Sequence, residues 1–248
     1  MGADDGQPHF NVFDYGKLKM IYKSGRLSYR RRSTGEERGH EDFTLTNNRD
    51  GTRTMRCLAM TDDSKFVRDA TLTLGADVRP QDVFVRIQVG AELVGTGYFH
   101  VFGNELNVVT DAKLTGRSYQ RLLVPTDFFA ITTHAVMLDG WAFFNYDLAA
   151  GGEQRRSFYN TSTRWDGTDG PLGKLETYRI EHLGEEEMTV PAGTFAVQHF
   201  KLEPDFLDVP TSHIYVTGAD NLLIKYDWAG LDLEYVLTDL KQVQRGVD

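Results

Sequence analysis

Cysteine occurs once in 248 residues. A lone Cys57 rules out an intramolecular disulfide and a cysteine-based zinc site. Its neighbours Met55, Leu58 and Met60 mark it as a core residue rather than a nucleophile. No run of about 18 apolar residues exists, so no membrane span is expected. Basic residues are outnumbered, 27 Lys and Arg against 36 Asp and Glu, for a net charge of −9. Phosphate backbones call for a basic surface, so nucleic acid is not the expected partner. Arg30-Arg31-Arg32 is a local exception, read as a solvated strand end because acidic residues follow it.

Catalytic signatures are missing too. There is no G-x-S-x-G, H-E-x-x-H or Walker loop. Gly95-Thr96-Gly97 lacks the third glycine and the following helix of a dinucleotide site. No histidine pair has short metal-ligand spacing, so neither metal nor cofactor is expected. The opening MGADDGQPHF has no hydrophobic signal core. That points to the cytoplasm, or to the periplasm if a leader precedes this sequence.

What is present is β pattern. The composition is 40% apolar and 12% aromatic, enough for a large core. The central reading is Glu187–Asp227. Val190-Pro191-Ala192-Gly193-Thr194-Phe195 enters a strand, with Pro-Ala-Gly as the turn. His213, Tyr215 and Thr217 alternate with Ser212, Ile214 and Val216, so each set shares a face. Gly218–Asn221 reads as a hairpin loop, and Leu222–Trp228 and Leu231–Leu237 as further strands. Earlier, Asn47–Gly51 closes a hairpin, Phe66–Leu74 and Val83–Val89 are strands, and Gly95–Gly97 turns into Tyr98–Phe102. The rhythm breaks at Pro125. Phe128, Ile131, Ala135 and Leu138 have helical spacing, predicting one principal helix over 127–138. The β-branched Ile131, Thr132, Thr133 and Val136 weaken it, so it needs tertiary packing. Trp141–Leu148 reads as a strand again.

The expected fold is mainly β: one large bent antiparallel sheet, a barrel or half-barrel, with that helix packed against or into it. A single domain spans 1–248, with loose ends at 1–10 and 241–248. Curling a sheet around a helix leaves a hollow that side chains or a ligand must fill.

From residue 120 to 240 the order of parts is distinctive: a helix after Pro125-Thr126-Asp127, then Leu138-Asp139-Gly140, the Val190–Phe195 turn, and HIYVTGADNLLIKYDW. It resembles a bacterial family of uncharacterised half-barrel proteins whose signature is a V-P-A-G-T-F hairpin. It is also similar in outline to lipoprotein-carrier folds, which wrap a sheet around a helix and hold apolar ligands. The resemblance implies fold rather than chemistry. Relatives often carry an arginine late in the helix; this chain has Thr133-His134-Ala135 there.

Histidine is the natural proton shuttle near neutral pH. His134 on the helix is therefore the candidate acid or base, with His199, His213 and Tyr215 orienting a substrate or stabilising an oxyanion. Tyr98, His100 and Trp141 are candidate substrate-binding residues, and Arg86 a candidate for a carboxylate or phenolate. The expected function is a cofactor-independent lyase, isomerase or hydrolase that moves a proton on a small apolar or aromatic molecule. The alternative is a non-catalytic carrier of a lipid-like or aromatic ligand. A homodimer stays open.

Overall fold

Period-two alternation becomes one continuous sheet. The computed structural model describes residues 20–126, 129–162, 164, 167–205 and 210–245. The first eight strands are β1 (Met20–Arg31), β2 (Glu37–Asn47), β3 (Arg53–Thr61), β4 (Phe66–Leu74), β5 (Pro80–Val89), β6 (Glu92–Phe102), β7 (Glu105–Ala112) and β8 (Gly116–Leu123). After β9 (Phe129–Thr132) comes the short helix α1 (Val136–Asp139), continued as a 3₁₀ turn over Gly140–Asn145. The remaining strands are β10 (Glu153–Asn160), β11 (Lys174–Val190), β12 (Gly193–Pro204), β13 (Ser212–Thr217), β14 (Leu222–Trp228) and β15 (Leu233–Arg245).

Across the 15-stranded sheet the order is β8-β7-β6-β5-β4-β3-β2-β1-β15-β14-β13-β12-β11-β10-β9. Sequential hairpins build each half, and β1 paired with β15 joins the halves antiparallel. The β9–β10 pair is parallel. Antiparallel sheets commonly bury one face and wet the other. β4 shows this well: Phe66, Arg68, Ala70, Leu72 and Leu74 are buried, and the residues between them are half-exposed. α1 packs against β2 and β3 on one half and β14 on the other, so the wall is bent around it. Met137, fully buried at the centre of α1, contributes about 2 kcal/mol by burial alone.

The helix differs from the sequence expectation. Asp127 and Phe128 lie outside the described residues. Residues 129–132 form a strand beside Ser157–Asn160, as their β-branched and aromatic side chains favour. His134 then takes a left-handed φ of 58°, which breaks any helix there. Only Val136–Asp139 is α-helical, and Trp141 belongs to the 3₁₀ turn rather than to a strand. A helix of 4 residues cannot hold itself together in water. Its N-cap Ala135 offers no side-chain acceptor. Glu41 of β2 supplies the acceptors instead. Its Oε2 accepts from the Val136 N–H and its Oε1 from the Met137 N–H, both at 2.8 Å. The Tyr29 hydroxyl donates to the same carboxylate at 2.5 Å.

Two other expectations are corrected. Gly95 and Gly97 lie inside β6 rather than in a turn. A Cβ on either would come within 2.7 or 2.8 Å of the Pro171 ring, so glycine there gives room for a loop to cross the sheet. Residues 241–245 belong to β15 instead of a loose end. The Pro191-Ala192-Gly193 turn is as expected, with Val190 opposite Gly193 and a Gly193 φ of 139° that favours glycine.

Replacing Glu41 by Ala strands two buried backbone N–H groups, so Glu41→Ala is expected to destabilise the protein by about 3 kcal/mol in urea unfolding. Glu41→Gln, which keeps one carbonyl acceptor, should lose clearly less. Equal losses would show that hydrogen bonding to α1 is not what Glu41 supplies.

Candidate functional site

Where the sheet bends around α1, a cavity of about 350 Å³ remains. Register explains part of its lining. Leu27, Glu41, Ala59 and Arg68 face one another in a row across β1 to β4, and Ala59 and Arg68 of that row line the cavity. Beside that row, Tyr29 on β1 pairs with Tyr235 on β15, which pairs with Tyr226 on β14. The Tyr29 and Tyr235 rings meet edge-on at 4.7 Å, and Tyr235 and Tyr226 at 5.6 Å. Tyr178 on β11 closes the far side, its hydroxyl donating to Asn160 Oδ1 at 2.9 Å. Phe66, Phe158, Leu202 and Trp228 supply apolar walls.

Asp139, the last residue of α1, faces this cavity. No described residue hydrogen-bonds its carboxyl, so nothing offsets removal from water except the field of Arg68. Burial, reinforced by the nearby Glu41 carboxylate, pushes its pKa up to about 8. Glu41 is also raised by burial, against the hydrogen bonds it accepts from Tyr29, Met137, Val136 and Cys57. The Cys57 thiol beside Glu41 is pushed well up by burial and that carboxylate, so it is no thiolate nucleophile.

Arg68 is 3% exposed. Its guanidinium lies over the Phe66 ring at 4.4 Å and donates to the carbonyls of His134 and Gly167. It thereby braces His134 in its left-handed conformation. His134 itself lines the cavity, as does Asp139 five residues on. Burial raises Tyr29, Tyr226, Tyr235 and Tyr178 above the ordinary phenol range, so all four stay neutral hydrogen-bonding groups.

The other expected site residues lie elsewhere. His199, His213 and Tyr215 do gather, but on the outward face, opposite to the cavity-lining Ser212. His199 Nε2 and His213 Nδ1 are 2.9 Å apart, the Tyr215 ring stacks on His199 at 4.2 Å, and Glu186 is 3.4 Å from His199 Nδ1. Burial and then His213 lower the His199 pKa. They do not meet His134, because His213 and Tyr215 alternate with the inward Ser212, Ile214 and Val216. Tyr98 is also outward, in a cross-strand row with Phe84, Val109 and Tyr119. His100 stacks beside it at 6.4 Å. Arg86 is outward as well, 3.7 Å from Asp69 and hydrogen-bonded to Gln88. Trp141 is buried and donates to the Asp220 carbonyl at 3.0 Å, bordering a separate small hollow. Among the described residues no group of three or more His, Cys, Asp or Glu could hold a metal ion. None of their helices is long and apolar enough to cross a membrane.

Sequence reasoning missed Asp139, Arg68 and Tyr29. A signal existed for the first two: Asp139 is the one charge in AVMLDGWAFF, and Arg68 shares parity with Phe66, Ala70, Leu72 and Leu74.

No protein-family model and no curated protein matches the chain. Among solved structures it is similar to a beta-barrel-like protein of the domain of unknown function DUF1849 from Brucella abortus. That match has 12% identity and a TM-score of 0.51, and covers 91% of this chain and 98% of the other. A DUF1089 family protein from Pseudomonas aeruginosa is more distant, at 11% identity and a TM-score of 0.44 over 77% of this chain and 90% of the other. The first likeness shows the fold: a large bent antiparallel sheet of the kind found in domains of unknown function.

The four cavity tyrosines should not ionise near the usual pH of about 10 in the folded protein. Absorbance at 295 nm should show their phenolates only when unfolding releases them. Identical titrations of the folded and urea-unfolded chain would contradict the buried placement.

Proposed function

We propose that the cavity binds a small, largely apolar or aromatic molecule and that Asp139 exchanges a proton with it. A carboxyl that titrates near neutrality, faces a ligand-sized hollow and has no hydrogen-bond partner among the described residues is the observation that carries this reading. Below its pKa of about 8 Asp139 is a proton donor, and above it a base. Neutral tyrosines can donate to an oxygen that gains charge as the proton moves. His134 remains a second candidate for the same proton path, since it lines the same space. The proposed class is a cofactor-independent lyase, isomerase or hydrolase. The apolar and aromatic walls favour a second reading, a carrier without turnover. The Val190–Phe195 hairpin further supports kinship with the half-barrel family that carries V-P-A-G-T-F.

Proton linkage tests the central claim. Asp139 has a folded pKa above its unfolded value of 3.8, so the folded state keeps a proton that the unfolded state releases between about pH 4 and pH 8. Stability is full below that window and falls as pH rises through it. Asp139→Asn removes this loss and should be more stable than the parent by up to about 6 kcal/mol at pH 9, with little difference at pH 4. Urea unfolding across pH measures the difference. A constant gap between the two proteins from pH 4 to 9 would remove Asp139 as the titrating group. Turnover of a ligand that co-purifies should stop in Asp139→Asn; binding without turnover in the parent would favour the carrier.

A further inference from the structure

The sheet has two edge strands, β8 and β9. An edge presents a row of unpaired N–H and C=O groups, a template for another strand. β9 has 4 residues, of which Phe129, Ala130 and Ile131 are buried, and it packs against β5. β8 has 8 residues and is bordered by β7 alone. Its pairing with β7 contains no bulge, and Gly116–Leu123 contains no proline, so two common guards of an edge are absent from it.

Register shows which backbone groups this edge presents. In antiparallel strands alternate residues bond to opposite sides. The Val124 N–H donates to the Asn104 carbonyl at 2.8 Å, so the even-numbered residues of β8 bond towards β7. The Lys113 N–H donates to the Val94 carbonyl at 2.7 Å, so the odd-numbered residues of β7 bond towards β6, which agrees. Arg117, Tyr119, Arg121 and Leu123 therefore direct their N–H and C=O groups away from the sheet. Among the described residues no further strand pairs with them. Beside these groups Tyr119 and Leu123 are 64% and 70% exposed. From the inner face the Tyr159 hydroxyl donates to Gln120 Oε1 at 2.6 Å, which holds the strand in place.

We infer that β8 pairs with itself: two copies of the chain join antiparallel along this edge and continue the sheet across a two-fold axis at Gln120. Only that register pairs all four outward residues. Arg117 faces the partner's Leu123 and Tyr119 faces the partner's Arg121, each pair exchanging two hydrogen bonds. A guanidinium beside a tyrosine ring is favourable. An axis at Tyr119 would set Arg117 against the partner's Arg121, and an axis at Arg121 would set that residue against its own copy. Like charges directly opposite are destabilising, so charge selects the Gln120 register. Arg121 is moreover neutralised within its own chain by Glu105, 2.9 Å from its Nε. The strand thus fits a copy of itself. The contact is one strand wide, so the dimer is weak and concentration-dependent.

Sedimentation equilibrium of the full chain from about 1 to about 500 μM should show the mean mass rising towards twice the monomer's. Tyr119→Pro removes one outward N–H and no bond to β7, so it should fold and stay monomeric throughout. If it loses the parent's circular dichroism, Arg121→Pro replaces it on the same grounds. Hydrogen exchange read by NMR at both concentrations should show about tenfold added protection at the Arg117, Tyr119, Arg121 and Leu123 amides of the concentrated parent. The Ser118, Gln120 and Leu122 amides, already bonded to β7, should change little. A parent that stays monomeric overturns the proposal. So does a dimer that survives in the folded proline variant, or one whose four outward amides gain no protection.

Discussion

One carboxylate organises this molecule. Glu41, fully buried on β2, accepts from two N–H groups at the start of α1 and from Tyr29 on β1. Removing a carboxylate from water is costly, and its donors offset that cost only in one geometry. The geometry ties the short helix to the first half of the sheet. The second half then closes over α1 through β14, because β1 and β15 are paired. The bend of the wall, the hollow beneath it and the position of Asp139 all follow from where α1 is held.

The same neighbourhood shapes the electrostatics of the site. Packing takes water away from the Asp139 carboxyl, and the Glu41 carboxylate adds a smaller repulsion. Asp139 therefore stays protonated to about pH 8, with Arg68 limiting the shift. Arg68 also holds the carbonyl of His134, whose left-handed backbone is one of the unusual conformations that cluster at functional places. Helix, acid, arginine and histidine form one connected unit rather than separate features.

Strand alternation made much of the sheet legible. Phe66–Leu74, the Asn47–Gly51 turn and the Pro191–Gly193 turn appear where the residues place them. Helix boundaries were not legible, because the packing of Ile131 and Thr132 beside β10 outweighs their helical spacing. Nor was the direction of the outer histidines. Alternation shows that His213 and Tyr215 share a face, but not which face the bend turns inward.

By itself, then, the sequence determined a β protein with one helical interruption, no disulfide and a core rich in aromatics. Those follow from local periodicity and composition, which neighbouring residues carry. Only the tertiary structure decided that Asp139, Arg38, Arg68 and Tyr235 share a hollow, while His199, His213 and Tyr98 do not line it. Asp139 lies on α1 and the arginines and Tyr235 on strands of the two halves, and register across the β1–β15 seam brings those halves together. Seam pairing depends on hydrogen bonds between distant segments, which no local pattern encodes.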